Sequence, residues 1–167
     1  MKKLYFYDSD FGRFGLAEQN DALTDLFFAD CPLSGSLLKR RQQIIATAEE
    51  QQTPLLREAG AQLQAYLAGH LRQFSLPLAP QGTSFRQQVW QELLAIPYGQ
   101  TRSYGQIATD IGNARAARAV GSANHHNPIA IIIPCHRVVG ANGRLTGYAG
   151  GLSLKERLLL LEKDALV

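Results

Sequence analysis

The stretch Arg102–Pro128, RSYGQIATDIGNARAARAVGSANHHNP, sets the architecture of the second half of the chain, because it predicts two short helices joined by a glycine turn. Ser103 and Gln106 have the spacing of a capping box, which starts a helix of about eight residues that Gly112 can end. Asn113 can then cap a second helix. Two helices in this layout are typical of a helix-turn-helix, whose second helix can lie in a DNA groove.

The second predicted helix combines small apolar residues with arginines. Its predicted core stripe consists of Ala116, Ala119, Val120 and Ala123. Arg115, Arg118 and Ser122 follow one another at i, i+3 and i+7 on another side of the helix. Small side chains let a helix backbone approach a groove closely, and an arginine among them can reach between bases. The alternative is a small-residue helix packed tightly against a neighbouring helix.

The charge distribution along the chain supports a surface that binds polyanions. Residues 1–80 contain 8 Lys and Arg against 9 Asp and Glu, whereas residues 81–167 contain 9 against 5. The net charges are therefore −1 and +4. Between Leu93 and Leu154 the single acidic residue is Asp110. An arginine-rich second half is what nucleic-acid binding needs, although a solvated basic face has the same composition.

The first half of the sequence predicts a small antiparallel sheet followed by helices. KLYFY (3–7), RFGLA (13–17) and LTDLFF (23–28) are typical of short strands separated by turns. The pattern becomes helical from SLLKRRQQIIATAEE (36–50) onward, and Pro54 opens a second helix that ends near Gly69.

A linker and a change of composition divide the chain into two predicted domains. SLPLAPQGTS (75–84) is rich in Pro, Ser and Gly and separates residues 1–80 from residues 81–167. After it, SFRQQVWQELLAI (84–96) predicts an amphipathic helix with Ser84 as its cap. The expected fold class is α+β: a small sheet-containing domain, then a mostly helical domain with the helix-turn-helix.

Composition also bears on location and on metals. No apolar run approaches the roughly 20 residues of a membrane span. The start MKKLYFYDSDFG reaches acidic residues too soon for a signal peptide. The expected location is therefore the cytoplasm, without membrane contact. Cys31 and Cys135 are too few for a disulfide framework or a four-cysteine zinc site. His125 and His126 lack a third ligand at suitable spacing, so no metal and no cofactor is predicted.

Downstream of the helix-turn-helix, PCHRV (134–138) follows the β-branched run Ile129–Ile133, which is typical of a buried strand. Cys135 would then lie just after the end of this buried strand, at the edge of the core. Adjacent side chains of a strand point to opposite faces, so a turn after the proline is needed for Cys135 and His136 to meet. An imidazole or an arginine can stabilise a thiolate, and both His136 and Arg137 are candidates.

Two further polar residues could support this thiol. The last helix begins GLSLKERLLLLEKD (151–164), where Ser153 and Glu156 have capping-box spacing, and Glu162 lies at the edge of its leucine stripe. Glu162 could hold the second nitrogen of an imidazole base, or it could be a solvated glutamate at a helix end. Asn127, before a proline, could shape a turn. These residues alone leave open a structural thiol, a hydrolase with Cys, His and Glu, and a nucleophile that faces DNA.

These motifs resemble those of a known family. IPCHRVVGANGRLTGYAGGLSLKERLLLLE, preceded by IPYGQTRSYGQIATDIGNARAARAVGSANHHNPIAIIIP and by GTSFRQQVW, is similar to the O6-alkylguanine-DNA alkyltransferases, the methylated-DNA protein-cysteine methyltransferases. The resemblance runs from about Pro54 to Glu162. The first fifty residues match in general character, as the ribonuclease H-like N-terminal domain of the family. The resemblance implies direct, irreversible, single-turnover transfer of an alkyl group from O6-alkylguanine to a cysteine, with O4-alkylthymine left open as a second substrate.

The resemblance also implies roles for single residues. Cys135 would be the alkyl acceptor and His136 the base, acting through a water molecule and held by Glu162. Asn127 would support the turn that carries Cys135. Tyr104 would contact the flipped nucleotide and donate a proton to the leaving guanine. Extrusion of the base fits this chemistry, because a nucleophile cannot reach the target atom inside the base stack.

Further residues would contact DNA or the base. Arg118 would fill the space that the flipped base leaves in the duplex, which the recognition helix enters from the minor groove. The other implied DNA contacts are Tyr104, Asn113, Arg115, Ala116, Ala117, Gly121 and Ser122. The implied pocket for the base consists of Pro134, Val138, Tyr148 and Ala149. Ala149 stands where some relatives have serine, so no hydroxyl is available there to assist the leaving oxygen.

The implied partner is double-stranded DNA that contains O6-alkylguanine, bound by a monomer, with clustering along DNA left open. An alternative from another functional class is a protein that binds alkyl lesions without chemistry. Relatives of that type lack the cysteine, so the presence of Cys135 argues against this alternative. The zinc-binding N-terminal domain of some relatives is not expected, because Cys31 has no neighbouring residues of ligand type.

Overall fold

The computed structural model describes residues 1–166 and shows a mixed α+β fold, as the sequence predicts. The chain divides into two compact units after Pro80. The first unit combines a four-stranded sheet with two helices, and the second is mostly helical with a two-stranded sheet. Within residues 1–166, every helix is too short or too polar to cross a membrane.

The first unit is built on a sheet of short strands. Its elements are β1 (Lys3–Tyr7), β2 (Phe14–Gln19), β3 (Ala22–Phe28), α1 (Gly35–Thr47), β4 (Glu49–Glu50) and α2 (Pro54–Leu67). The strand order is β3-β2-β1-β4, antiparallel except for the short parallel pairing of β4 with β1. Asn20 and Asp21 both have positive φ between β2 and β3, which is the two-residue hairpin geometry that matches strand twist. The three predicted strands are confirmed.

Helix α2 covers this sheet and closes the core of the first unit. Its buried residues are Leu56, Ala59, Gly60, Leu63, Tyr66 and Leu67. Phe14 and Leu16 of β2 are fully buried. Gly60 allows a close approach, since a Cβ at this position would lie 2.6 Å from the Tyr7 ring.

Two local predictions for the first unit are corrected. The predicted helical segment 36–50 ends earlier, because α1 stops at Thr47 and the two glutamates that follow form β4. The stretch 75–84 is not a simple linker. The Leu23 amide donates to the Pro77 carbonyl at 2.8 Å, and the Ala79 amide donates to the Leu23 carbonyl at 2.8 Å. The end of the first unit is therefore hydrogen-bonded to β3.

The second unit carries the cysteine motif between its helices. Its elements are α3 (Ser84–Leu94), β5 (Arg102–Ser103), α4 (Tyr104–Asp110), α5 (Ala117–His125), a 3₁₀ helix (Cys135–Arg137), β6 (Val138–Val139) and α6 (Leu152–Ala165). The parallel pair β5–β6 joins Arg102 to Val138 and Ser103 to Val139. Because α4 follows β5 directly, this pairing places the first turn of α4 beside the residues that follow Cys135.

The start of α4 agrees with its prediction, and the start of α3 is shifted by one residue. The Ser103 hydroxyl accepts from the Gln106 amide at 3.1 Å, and the Gln106 side chain accepts from the Ser103 amide at 2.8 Å, so the capping box is confirmed. Gly112 ends this helix with φ +85°. For α3, Thr83 rather than Ser84 is the cap, since its hydroxyl accepts from the Arg86 amide at 3.3 Å.

Helix α5, the second helix of the predicted helix-turn-helix, begins later than predicted. The side chain of Asn113 accepts from the Arg115 amide at 3.2 Å, but this bond closes a turn, and α5 starts only at Ala117. Arg115 therefore lies in the turn before the helix. Ala119, predicted in the core stripe, is exposed. The other three predicted core positions of this stripe are buried.

Two predictions around the cysteine motif are also wrong in their local geometry. The four isoleucines of 129–133 are buried, but the segment is not a strand, because Ile131 has φ +71° and the backbone turns back on itself there. The Ile133 amide donates to the Ile129 carbonyl at 3.0 Å across this turn. Gly151, without a side-chain cap, precedes α6, so the predicted capping box of Ser153 and Glu156 is absent.

Candidate active site

Cys135 is held at the start of the 3₁₀ helix by two asparagine side chains. It is 5% exposed. The Asn127 side chain donates to the Ile133 carbonyl at 2.7 Å and accepts from the Ile129 amide at 3.0 Å, which closes the turn before the cysteine. The buried Asn124 of α5 donates to the Cys135 carbonyl at 3.2 Å. The turn that is needed after Pro134 is present as the 3₁₀ helix, in which the Arg137 amide donates to the Pro134 carbonyl at 3.0 Å.

The surroundings of Cys135 favour the neutral thiol. Burial raises the pKa of the thiol above its ordinary value, and this effect is opposed by hydrogen bonding with Asn127, by the charge of Lys155 and by hydrogen bonding with Tyr148. The groups that lower the pKa are the ones that would stabilise a thiolate once it forms. The site therefore keeps a protonated thiol among groups suited to its anion.

His136 is completely buried and makes a short hydrogen bond to Glu162. Its Nε2 lies 2.6 Å from Glu162 Oε2. Burial lowers the pKa of the imidazole, the Glu162 carboxylate opposes that shift, and the Arg137 charge adds to it. The ring is therefore neutral with its hydrogen on Nε2, where it donates to the carboxylate. Nδ1 is then the nitrogen that can accept a proton.

Glu162 is the centre of a buried polar cluster. It is 1% exposed, so the alternative of a solvated glutamate at the helix end is wrong. Arg137 donates from Nε to Oε1 at 2.8 Å and from Nη2 to Oε2 at 3.0 Å, and the Gly99 amide donates to Oε1 at 3.1 Å. Arg137 also donates from Nη1 to the Ile96 carbonyl at 2.7 Å. The guanidinium thus stabilises the carboxylate, a different role from the expected pairing with the thiolate.

Lys155 is a buried cation that the sequence interpretation missed. Its side chain is inaccessible to solvent, and Nζ donates to the Val138 carbonyl at 2.6 Å and to the Thr146 carbonyl at 2.8 Å. Burial lowers the pKa of this amine, and Cys135 opposes the shift. One sequence signal was available: Lys155, Leu158 and Glu162 lie at i, i+3 and i+7, on the buried side of α6.

The residues predicted to form the base pocket are distributed over two segments. Pro134 and Val138 flank the 3₁₀ helix and are buried. Tyr148 and Ala149 are half-buried in the loop between β6 and α6. Tyr148 is connected to the thiol through the hydrogen bonding described above.

Tyr104, the first residue of α4, is placed between this loop and α5. The Thr146 hydroxyl donates to the Tyr104 hydroxyl at 3.1 Å, and the Tyr104 hydroxyl reaches the Thr146 carbonyl at 3.5 Å. Gly121 of α5 faces the same ring, since a Cβ at this position would lie 3.9 Å from it. Tyr104 therefore connects the cysteine region with α5.

The exposed side of α5 carries Arg118, the arginine predicted to act as a finger. Arg118, Ser122 and His125 are exposed at i, i+4 and i+7, while Gly121 and Ala117 are half-buried. Before the helix, Asn113 and Arg115 are exposed and Ala116 is buried. On the opposite side the indole of Trp90 donates to the Ala123 carbonyl at 2.9 Å, which fixes α5 against α3.

The histidine pair at the end of α5 is not part of a metal-type cluster. The His125 and His126 rings meet edge to face with centroids 5.3 Å apart, and His126 Nδ1 donates to the Ser122 carbonyl at 2.8 Å. Within residues 1–166, no three side chains of His, Cys, Asp or Glu lie close enough together to hold a metal ion.

Family models match almost the whole chain. The model of the 6-O-methylguanine DNA methyltransferase ribonuclease-like domain matches residues 3–80, and that of the DNA-binding domain of the same proteins matches residues 84–164. The chain belongs to this family. The resemblance predicted from the cysteine motif is therefore confirmed, and it extends through the first fifty residues.

Named relatives agree with this membership. The methylated-DNA–protein-cysteine methyltransferase of Methanosarcina acetivorans is 64% identical over 106 residues, which cover 64% of this chain and 68% of the relative. The protein of the same name from Mycolicibacterium paratuberculosis is 47% identical over 156 residues, covering 93% of this chain and 89% of that one.

Solved structures show the same architecture. The O6-methylguanine methyltransferase of Mycobacterium tuberculosis superposes with a TM-score of 0.86 at 46% identity, covering 99% of this chain and 94% of that chain. The OGT protein of the same organism in complex with DNA superposes with a TM-score of 0.84 at 46% identity, covering 98% of this chain and 94% of that chain.

Proposed function

We propose that this protein, a member of a DNA-repair methyltransferase family, accepts the alkyl group of O6-alkylguanine in double-stranded DNA on the sulfur of Cys135. The observation that carries the proposal is the buried set of Cys135, His136 and Glu162, located in the same unit as a helix-turn-helix with an exposed arginine. Residues 1–80 form the ribonuclease-like domain, and the DNA-binding and alkyl-acceptor domain begins at Gln81. The protein acts as a monomer in the cytoplasm.

The transfer step is a substitution at the alkyl carbon. The Cys135 sulfur forms a bond to this carbon, the bond from the carbon to guanine O6 breaks, and its electron pair stays on the base. The thiol proton passes through a water molecule to His136 Nδ1, because Nε2 already donates to Glu162. Tyr104 donates a proton to the departing guanine. The His136 imidazolium then releases its proton to solvent and the Tyr104 phenolate takes one up, so the net change is one thiol and one alkylguanine giving one thioether and one guanine.

The polar cluster around Glu162 prepares His136 for this step. Protonation of the imidazole places a positive charge beside a carboxylate that is already oriented by Arg137 and the Gly99 amide. Lys155 supplies a buried positive charge that favours the thiolate. The alkyl group stays on the Cys135 sulfur as a thioether, which none of these residues can cleave, so each molecule reacts once. No cofactor takes part in the proposed transfer.

DNA reaches the site through α5. The exposed side of this helix enters the minor groove, and Arg118 fills the space in the duplex that the flipped nucleotide leaves. The proposed contacts along the same surface are Tyr104, Asn113, Arg115, Ala116, Ala117, Gly121 and Ser122. The flipped base enters a pocket formed by Pro134, Val138, Tyr148 and Ala149, while Asn127 keeps the cysteine turn in place.

Mass spectrometry of the protein after incubation with duplex DNA containing O6-methylguanine tests this function. We expect a gain of one methyl group, located on the peptide that contains Cys135 and absent in Cys135→Ser. The peptide that contains Cys31 is the internal control and should remain unmodified. Tight binding of the lesion without methyl transfer would support the non-catalytic alternative, and repeated turnover would exclude a single-use acceptor.

A further inference from the structure

Thr146 contacts two groups of the proposed site at once. It is half-buried in the loop between β6 and α6. Its hydroxyl donates to the Tyr104 hydroxyl at 3.1 Å, and its carbonyl accepts from Lys155 Nζ at 2.8 Å. None of the sequence motifs pointed to this residue. Its side chain therefore contacts the start of the helix-turn-helix, while its backbone contacts the cation that acts on Cys135.

The hydroxyl of a tyrosine has a single hydrogen, so its neighbours determine where that hydrogen points. Because Thr146 donates to the Tyr104 oxygen, the hydrogen of Tyr104 must be directed to another acceptor. At present that acceptor is the Thr146 carbonyl at 3.5 Å, which is longer than the usual 2.5–3.0 Å for a bond between two oxygens. Such a weak bond is easily replaced by a stronger acceptor on an incoming base.

The carbonyl of Thr146 is itself held firmly. Lys155 is fully buried and donates both to this carbonyl and to that of Val138, which lies three residues after Cys135. The ammonium group thereby ties the loop to the segment that carries the cysteine. The Thr146 hydroxyl is consequently presented to Tyr104 from a backbone position that the site itself fixes.

We propose that Thr146 is a positioning residue for alkyl transfer, which orients the Tyr104 hydroxyl so that its hydrogen is available to the departing guanine. This inference rests on the proposed function, since it assigns a residue that prepares the proton donor of that reaction. Thr146 itself does not touch the reacting atoms. Its hydroxyl acts through Tyr104, and its carbonyl keeps the loop in place.

Two substitutions separate the hydroxyl from the rest of the side chain. Thr146→Val removes the hydroxyl but keeps the shape and the backbone carbonyl, whereas Thr146→Ser keeps the hydroxyl. The assay is single-turnover methyl transfer from duplex DNA containing O6-methylguanine, measured over a range of DNA concentrations. We expect Thr146→Val to lower the limiting rate roughly threefold to tenfold, the effect of one hydrogen bond, without changing the half-saturating DNA concentration. Thr146→Ser should restore most of the rate.

A double-mutant cycle with Tyr104→Phe tests whether the effect passes through the tyrosine hydroxyl. In the Tyr104→Phe protein, Thr146→Val should cause no further loss of rate. The same loss in both backgrounds, or failure of Thr146→Ser to restore the rate, would show that Thr146 acts by packing and would overturn the inference. If Thr146→Val does not fold, Thr146→Ala takes its place in the cycle with the same expected result.

The outcomes for this residue and for the proposed function are distinct. A wild-type protein that gains no methyl group would overturn the function itself. A wild-type protein that is active, with Thr146→Val at the same limiting rate, would overturn the role of Thr146 and leave the function intact.

Discussion

Cys135 and His136 lie in the same buried region, and burial acts on them in opposite directions. It raises the pKa of the Cys135 thiol and lowers the pKa of the His136 imidazole. Each shift favours the neutral form, so the resting pair is a thiol and a neutral base. At rest the site therefore avoids the cost of a buried ion pair between a Cys135 thiolate and a His136 imidazolium.

The pH dependence of cysteine alkylation follows from this environment. We expect the rate at which iodoacetamide modifies Cys135 to keep rising with pH beyond the ordinary thiol value of 9.0, because the thiolate forms only there. Peptide-resolved mass spectrometry over a pH series measures this profile, and the same peptide in urea-unfolded protein provides the reference midpoint. A plateau in the folded protein below neutral pH would contradict the prediction, since it would indicate a stable thiolate.

At the scale of secondary structure, α4 and α5 join the surface proposed to face DNA to the cysteine. The pairing of β5 with β6 places the start of α4 next to the residues after Cys135. Gly121 of α5 lies against the Tyr104 ring, and Arg118 is exposed about one turn before it. Arg118, the proposed finger residue, thus lies on the exposed side of α5, away from the residues proposed for the base pocket.

Substitution of the finger residue should separate duplex repair from chemistry on a free base. Arg118→Ala is expected to slow methyl transfer from duplex DNA by roughly one to two orders of magnitude, because contacts that stack with or replace a base are lost. Its reaction with free O6-benzylguanine should stay close to wild type. The two rates are measured by single-turnover kinetics.

Arg115→Ala is the matched control for this prediction, because it removes the same charge from the turn in front of α5. We expect it to cause a smaller loss that disappears at low salt, as for a phosphate contact. Equal losses of Arg118→Ala on duplex DNA and on the free base would instead assign Arg118 to the pocket.

At the scale of the whole molecule, the free energy of unfolding depends on pH through His136, which is buried in its neutral form. Burial lowers the pKa of His136 below the ordinary value of 6.5, so the unfolded chain binds more protons than the folded chain as the pH falls through that value. The contribution of neutral His136 to the stability of the folded chain is therefore present above pH 6.5 and is lost progressively below it. The buried Glu162 carboxylate opposes the shift without cancelling it.

Urea unfolding between pH 7.5 and pH 5 measures this loss. The free energy of unfolding should decrease with acidification, by at most about 1.4 kcal/mol per pH unit for one proton. His136→Gln should reduce the slope, whereas His125→Gln, at an exposed position, should change it less. An unchanged slope in His136→Gln would contradict the assignment of this proton to the buried imidazole.

Residues whose structure depends on near neighbours in the chain were predictable. The first three strands follow from short alternating patterns between turns, and the capping box of Ser103 and Gln106 is made within one helical turn. The α5 start was missed because Asn113 caps a turn as readily as a helix. The turn at Ile131 was missed because a β-branched run ordinarily favours a strand.

The sequence by itself determined the two-part α+β organisation, the helix-turn-helix and the cysteine as candidate acceptor, because each depends on periodicity, capping or a local motif. Only the tertiary structure decided the partners of Arg137, Lys155 and Thr146. Their contacts join positions 9 to 42 residues apart in the chain. A buried charge is stable only where distant backbone and side-chain groups converge on it, and that convergence is a property of the folded chain.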